Sequence, residues 1–426
     1  MSMELKNIAE LTLEHMRDAG FDDCHVSVGV SEQDELNITH NEPSLLRSTE
    51  DYAVSMLGIV DGRKASSSLT DIGEDAIAAE ITGLFERAKS APQDEANAVS
   101  ADQVSHFEQG PLESSLDLLA EKTSELLDFR AASAPKVTVE EGGAAHLVSR
   151  SHEVTSQGTE LSSIIGCYQL QVMGTASEGD KSSSFNYTGG RANDLTGRHA
   201  SEWFAIGDML VDTQNQIVTQ SIDARFTGEV ILAPSAVSDL VNWLLGQLNA
   251  SALIAGSSVY ENSIGEVIAT PDLFINSDFD APGHVPYTDD GFTARPINLV
   301  EGGKLTTLLL NLYGSRKTGL DHTASTSGWR IEPGSDAKED LIASIKQGAL
   351  VNRLSMGQPA ANGDFSGVIK NSFGIEKGEV GTALADTMVS GNMAQMLKDI
   401  DGISAEHLDY GGQDFPFFRI PDMHFS

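Results

Sequence analysis

Nearly half of the chain's 40 glycines lie between Gly283 and Gly412, interleaved with Pro, Asp and Asn. A stretch punctuated this way cannot sustain long helices, because each interior glycine costs a helix about 1 kcal/mol relative to alanine and favours turns. It dictates short strands joined by tight turns, a β-rich domain of curled sheet or partial barrel. Upstream the texture differs. Residues 4–19 place Leu5, Ile8, Ala9, Leu13 and Met16 on one helical stripe, with Gly20 as the stop. Val26, Val28 and Val30, then Leu36 and Ile38, alternate as half-buried strands require. Asp61-Gly62 predicts a two-residue hairpin turn. Asp71 with Glu74 predicts a capping box, opening a helix that carries Ile77, Ile81, Leu84, Phe85 and Ala88 and ends at Pro92.

The middle of the chain reads as a further α+β unit. Pro111 predicts a helix start, with Leu112, Leu116, Leu119 and Leu126 as its stripe. Strands follow Pro135, and the apolar, uncharged run 163–177 predicts a central one. A mixed segment near 200–221 closes this part. From Gly228 a strand over 229–233 leads through Pro234-Ser235 into a helix over 236–249. The domains expected are therefore 1–105 (α+β), 106–225 (strand-rich and helical) and 226–426 (β-rich). The fold class is α+β, an α/β sandwich-like N-terminal part plus a β-rich C-terminal domain with a buried helix.

Sixty-three acidic residues against 27 basic ones leave a net charge of −36. That balance argues against nucleic-acid binding, which needs Lys and Arg to neutralise phosphates, and against docking on anionic lipid. The uncharged run 240–260 contains Asn242, Gln247, Asn249, Ser251, Ser257 and Ser258, which hydrocarbon would penalise, so a buried helix and loop are expected rather than a membrane span. Cys24 and Cys167 are the only cysteines, and the N-terminus lacks a basic-then-apolar leader pattern. A cytoplasmic protein fits.

The catalytic signals readable from residues alone are weak. Of 11 histidines, none has another at i+3 or i+4, the spacing a helical zinc site uses. His152-Glu153 begins like a zincin motif, but Ser156 and Gln157 stand where the second His would be. No nucleophile elbow or phosphate-binding glycine loop occurs. Ser366 beside Asp364 lacks a placed His base, and Asp289-Asp290 before Gly291 suits a turn.

An ordered set of fragments in the C-terminal half is more specific. Gly256-Ser257-Ser258-Val259-Tyr260 leads to Asn262-Ser263-Ile264-Gly265, then to Asp290-Gly291-Phe292-Thr293-Ala294-Arg295-Pro296 and Leu299-Val300-Glu301-Gly302-Gly303-Lys304-Leu305. Ser325-Thr326-Ser327-Gly328, Glu332-Pro333-Gly334, Gly363-Asp364-Phe365-Ser366-Gly367, Ile375-Glu376-Lys377-Gly378-Glu379 and Ser390-Gly391-Asn392 follow. In this order they resemble the TldD/PmbA family, long labelled modulator of DNA gyrase. The family's two branches assemble as a protease pair. The TldD branch carries H-E-x-x-x-H on a helix and a later Cys, which together hold zinc; the PmbA (TldE) branch lacks them. Counting back from Gly256, the six motif positions fall at Val241 to Gly246: Val241 and Gly246 fill the His positions and Asn242 the Glu position. Gly411-Gly412-Gln413 supplies no Cys.

The resemblance thus implies a PmbA/TldE-like subunit with no catalytic or metal-binding residue of its own, and with zinc in a TldD-like partner. It implies a heterodimer with that partner, a homodimer when alone, and unfolded peptides as substrates. A peptide added as a strand would explain tolerance of sequence. Asn262, Asp290, Arg295, Asp364, Ser366 and Asn392 are the cavity or interface candidates. Two alternatives stay open: a hydrolase using Ser366 with a distant His, and a protein-binding modulator of gyrase.

Overall fold

The computed structural model describes residues 2–325 and 328–426. Thr326 and Ser327, in one of the family-like motifs, lie outside the described residues. Two sheets organise the chain into a mixed α/β fold.

The first sheet has eight strands, in the order Arg63–Leu69, Glu42–Val60, Asp23–Thr39, Val137–Thr155, Glu160–Glu178 and Val104–Gln109; Lys181–Ser182 and Asn186–Ala192 also pair with Glu160–Glu178. The alternation of Val26, Val28 and Val30 does what period two demands: all three are buried, and the residues between them are half-exposed. They pack with Leu5, Ala9 and Met16 of helix Ser2–Asp18 and with Ile77, Ile81 and Leu84 of helix Glu74–Ser90. Further along the same strand, Ile38 joins a separate core with helices Leu116–Ser133 and Ile206–Asn215. The boundary expected at 105/106 is corrected here. Asp23–Thr39 pairs in antiparallel register with Val137–Thr155, so residues on both sides of it build one sheet.

Two local expectations also fail. Helix Glu74–Ser90 has Gly73 as N-cap without a side-chain cap bond; Asp71 instead accepts from the Gly73 amide at 2.9 Å, a turn in place of a capping box. Pro111 does not start a helix. The next one begins at Leu116, because Ser115 accepts from the Leu118 amide and supplies the cap proline cannot.

The second sheet is mixed, with 14 strands. Its hub is the C-terminal strand Gln413–Phe425, which pairs with Phe226–Leu232, Gly402–Asp409 and Met388–Asn392 antiparallel and with Trp329–Ile331 in parallel. Thr219–Gln220 already belongs to this sheet, pairing with Glu379–Leu384. Helix Pro234–Leu248 lies in its core, burying Val237, Leu240, Val241, Leu244 and Leu248 among Leu232, Phe365, Met393 and Phe418. Each such side chain contributes about 1.5–3 kcal/mol of burial. No described helix is long and apolar enough to cross a membrane.

Leu244 is fully buried. Leu244→Ala should lower the stability of the C-terminal domain by about 2–5 kcal/mol in urea unfolding; a loss below about 1 kcal/mol would mean that the helix is not a core element. A second prediction concerns helix Ile206–Asn215, where the Asp212 carboxyl is pushed up to about 6, first by burial and then by Asp208. A carboxyl raised in the folded state destabilises the fold once it must ionise, so this contribution worsens as pH rises from about 4 through about 6. Asp212→Asn should therefore raise thermal stability at pH 7.5 and leave it unchanged at pH 4. Equal effects at both pH values would contradict the assignment.

Candidate functional site

The helix Pro234–Leu248 presents one polar strip away from the core. Asn242 and Gly246, four residues apart and so on one face, are both exposed. A Cβ added at Gly246 would meet nothing. The Asn242 amide donates to Ser238 Oγ at 3.2 Å, and Ser238 donates to Gln413 Oε1 at 3.0 Å. The strip therefore ends at the residue where the resemblance places a missing Cys. Val241 lies elsewhere, 1% exposed in the core, because positions five apart are separated by about 140° around a helix. The apolar stripe of Val241, Leu244, Leu245 and Leu248 does not pack the whole motif. It packs Val241, while Asn242 and Gly246 stay open and Leu245 is only partly buried.

Zinc does not fit these residues. A valine in the core, an asparagine amide, a glycine and a glutamine amide offer no imidazole, thiolate or carboxylate. Among the described residues, no three His, Cys, Asp or Glu side chains are grouped to hold a metal.

The six candidates do not converge. Asn262 and Arg295 are exposed, the first on a turn and the second in an irregular segment. Asp364 and Asn392 meet: Asn392 Nδ2 donates to Asp364 Oδ1 at 2.8 Å and to the Asn362 carbonyl at 2.9 Å. Asn392 Oδ1 accepts from the Gln395 amide and caps helix Met393–Asp399. The hydrogen bond from Asn392, and then that from the Asn362 side chain at 2.8 Å, hold the Asp364 carboxyl below the ordinary Asp range. Ser366 pairs across the sheet with Ser390, and Ser390 with His424, whose ring bonds Thr227. Strands are spaced about 4.8 Å apart, so two spacings separate Ser366 from His424, too far for a nucleophile–base bond.

Of the six, Asp290 lines a cleft between the sheets. Burial would raise its carboxyl, but hydrogen bonds from His322, Thr288 and the Leu312 amide outweigh burial and hold it below the usual value. The cleft, of about 730 Å³, lies between the two sheets and is also lined by His25, Lys64, Arg191, His284 and Tyr313. His25 Nε2 lies 3.1 Å from Glu153 Oε2, and both are largely buried. Tyr287 is pushed up to about 12, chiefly by burial, and bonds Ser163 at 3.2 Å. A second cleft of about 500 Å³ runs along Gly189, Gly190, Gln169 and Gln171 to His284 and Tyr410. A third, of about 510 Å³, reaches Trp203, His407 and Asp414. Gly412 sits where a Cβ would lie 2.7 Å from the His284 ring, and its φ of 130° disfavours any other residue. Sequence reading missed His322, Arg191 and His284. Their roles depend on partners far away in the chain, and only the run Gly411-Gly412 hinted at a close approach.

Comparison with known proteins follows the same outline. Residues 226–426 match the family profile described as PmbA/TldA metallopeptidase C-terminal domain. A metalloprotease of Methanothermobacter thermautotrophicus is 27% identical over 194 residues, 42% of this chain; the chain spans 43% of that relative's length. Metalloprotease PmbA of Escherichia coli O157:H7 is 23% identical over 400 residues, covering 89% of this chain and 86% of the relative. Among solved structures, one from Bacteroides thetaiotaomicron described as a modulator of DNA gyrase superposes with a TM-score of 0.85 at 19% identity, covering 99% of both chains. TldE from Thermococcus kodakarensis superposes at 0.80 with 20% identity over 100% of both.

The geometry of the strip sets a mutational expectation. Val241→His should cost about 2 kcal/mol or more, because the imidazole enters a dry core. Asn242→Glu and Gly246→His, on the open face, should change stability by no more than about 0.5 kcal/mol. The triple variant should not become a zinc protease, since Gln413 supplies no thiolate. Zinc-dependent peptide cleavage by it would show a far more intact site.

Proposed function

We propose that this chain, whose residues 226–426 match the PmbA/TldA metallopeptidase C-terminal domain and whose fold is that of TldE, is a PmbA/TldE-like, non-catalytic subunit of a Tld-type metalloprotease. The single observation that carries this reading is the helix Pro234–Leu248. Val241 is in the core, Asn242 and Gly246 are on the open face, and Ser238 accepts from Asn242 and donates to Gln413 Oε1. In this reading zinc and its chemistry reside in a TldD-like chain. The present chain helps enclose the chamber in which unfolded peptides are cut, in the cytoplasm. The clefts between its two sheets, together larger than one side chain needs, support a role in holding an extended peptide.

Mixing this chain with a TldD-like chain from the same source should give cleavage of unfolded peptides that a chelator abolishes and that exceeds the cleavage by either chain alone. Peptide cleavage by this chain by itself, or a partner fully active without it, would overturn the proposal.

A further inference from the structure

Arg191 lines all three clefts between the sheets. It sits on strand Asn186–Ala192, where its amide donates to the Tyr410 carbonyl at 3.0 Å. That bond fixes the residue against the turn before the C-terminal strand. The side chain is half-buried and makes no hydrogen bond or ion pair with any described residue; Arg353, also half-buried without such a bond, instead stacks over Phe185 and Tyr187, and Arg225 and Arg295 are exposed. An unpaired guanidinium in a partly dry cleft is costly unless a ligand supplies the counter-charge.

Nearby acids do not supply it. In the third cleft, Asp194 is held by Thr196, Glu202 by the His199 amide, Asp409 by the Gly411 amide, and Asp414 by Arg330 and His407. In the largest cleft, Asp290 is held by His322 and the Leu312 amide, which leaves the exposed Asp289 there and the exposed Glu141 in the second cleft, neither bonded to Arg191. His284 beside Arg191 is held low by burial first and by Arg191 second, and its Nδ1 is buried without a partner. Backbone comes close on one side: a Cβ at Gly283 would lie 3.2 Å from Arg191 Nη1. The second cleft reaches Arg191 along Gly189 and Gly190, where Gln171 on one side and Tyr410 with Phe204 on the other pack too close for any Cβ.

We propose that Arg191 is the anchor for a carboxylate of a bound peptide, its planar guanidinium taking both oxygens where the three clefts meet. This rests on the peptide-holding role proposed above and assigns that role a residue and a ligand chemistry. The carboxylate can come from a peptide C-terminus or from an Asp or Glu side chain; both present the same two oxygens.

The test uses a fluorescein-labelled unstructured peptide with one internal Asp and a free C-terminus, its C-terminal amide, its Asp→Asn form and the doubly neutral form. Binding is read by anisotropy with the full chain alone, and again after mixing with the TldD-like chain under chelator. Removing the recognised carboxylate should weaken binding about 10- to 100-fold. Whichever single neutralisation carries the loss identifies the source. Arg191→Gln should weaken the acidic peptide to the level of the neutral one and erase the difference between them, while Arg191→Lys should restore part of it. If all four peptides bind the native chain equally and Arg191→Gln changes nothing, the anchor is wrong and the peptide-holding role stands. If no peptide binds in either setting, both proposals fall.

Discussion

The pairing of the C-terminal strand Gln413–Phe425 with Phe226–Leu232 is the contact on which the rest of this molecule depends. It closes the second sheet between residues nearly 200 positions apart and seats helix Pro234–Leu248 beneath it. Phe418, Ile420 and Phe425 are buried there with Leu240 and Leu244. The turn just before this strand does two further things. Tyr410 accepts from the Arg191 amide and ties the first sheet to the second, while Gln413 accepts from Ser238 on the helix. Loss of the C-terminal strand would therefore remove a core, a sheet-to-sheet contact and the end of the polar strip together.

The helix shows how one element separates packing from chemistry. Its apolar face needs Val237, Leu240, Leu244 and Leu248 whatever the protein does, because those side chains fill the sheet core. The open face carries Asn242 and Gly246, exposed positions whose identity the sheet core does not constrain. Val241 belongs to the first set. Its burial explains why a histidine placed there by substitution would conflict with packing.

Legibility from sequence followed the range of the interactions involved. Strands marked by Val26, Val28 and Val30, the Asp61-Gly62 hairpin and the helix after Pro234 rest on local periodicity, and they were readable. The capping box at Asp71 and the helix start at Pro111 misread local turn chemistry, because an Asp that bonds its own turn and a proline that precedes a Ser cap look alike in one dimension. The split at 105/106 failed for a longer-range reason. The connection between Glu74–Ser90 and Leu116–Ser133 resembles a linker, yet the strands on either side hydrogen-bond across it. Motif order pointed to the family resemblance and to the helix Pro234–Leu248. It could not reveal Arg191, His284 or the pairing of Asp290 with His322, since each is defined by residues from distant parts of the chain.

Zinc content of the purified chain tests the degenerate helix most directly, measured by elemental mass spectrometry on protein prepared without chelator and dialysed against buffer. Well under one equivalent per chain is the expected result, because Val241, Asn242, Gly246 and Gln413 offer no imidazole, thiolate or carboxylate. One tightly held zinc per chain would contradict it and would require a ligand set other than the helix and turn described above.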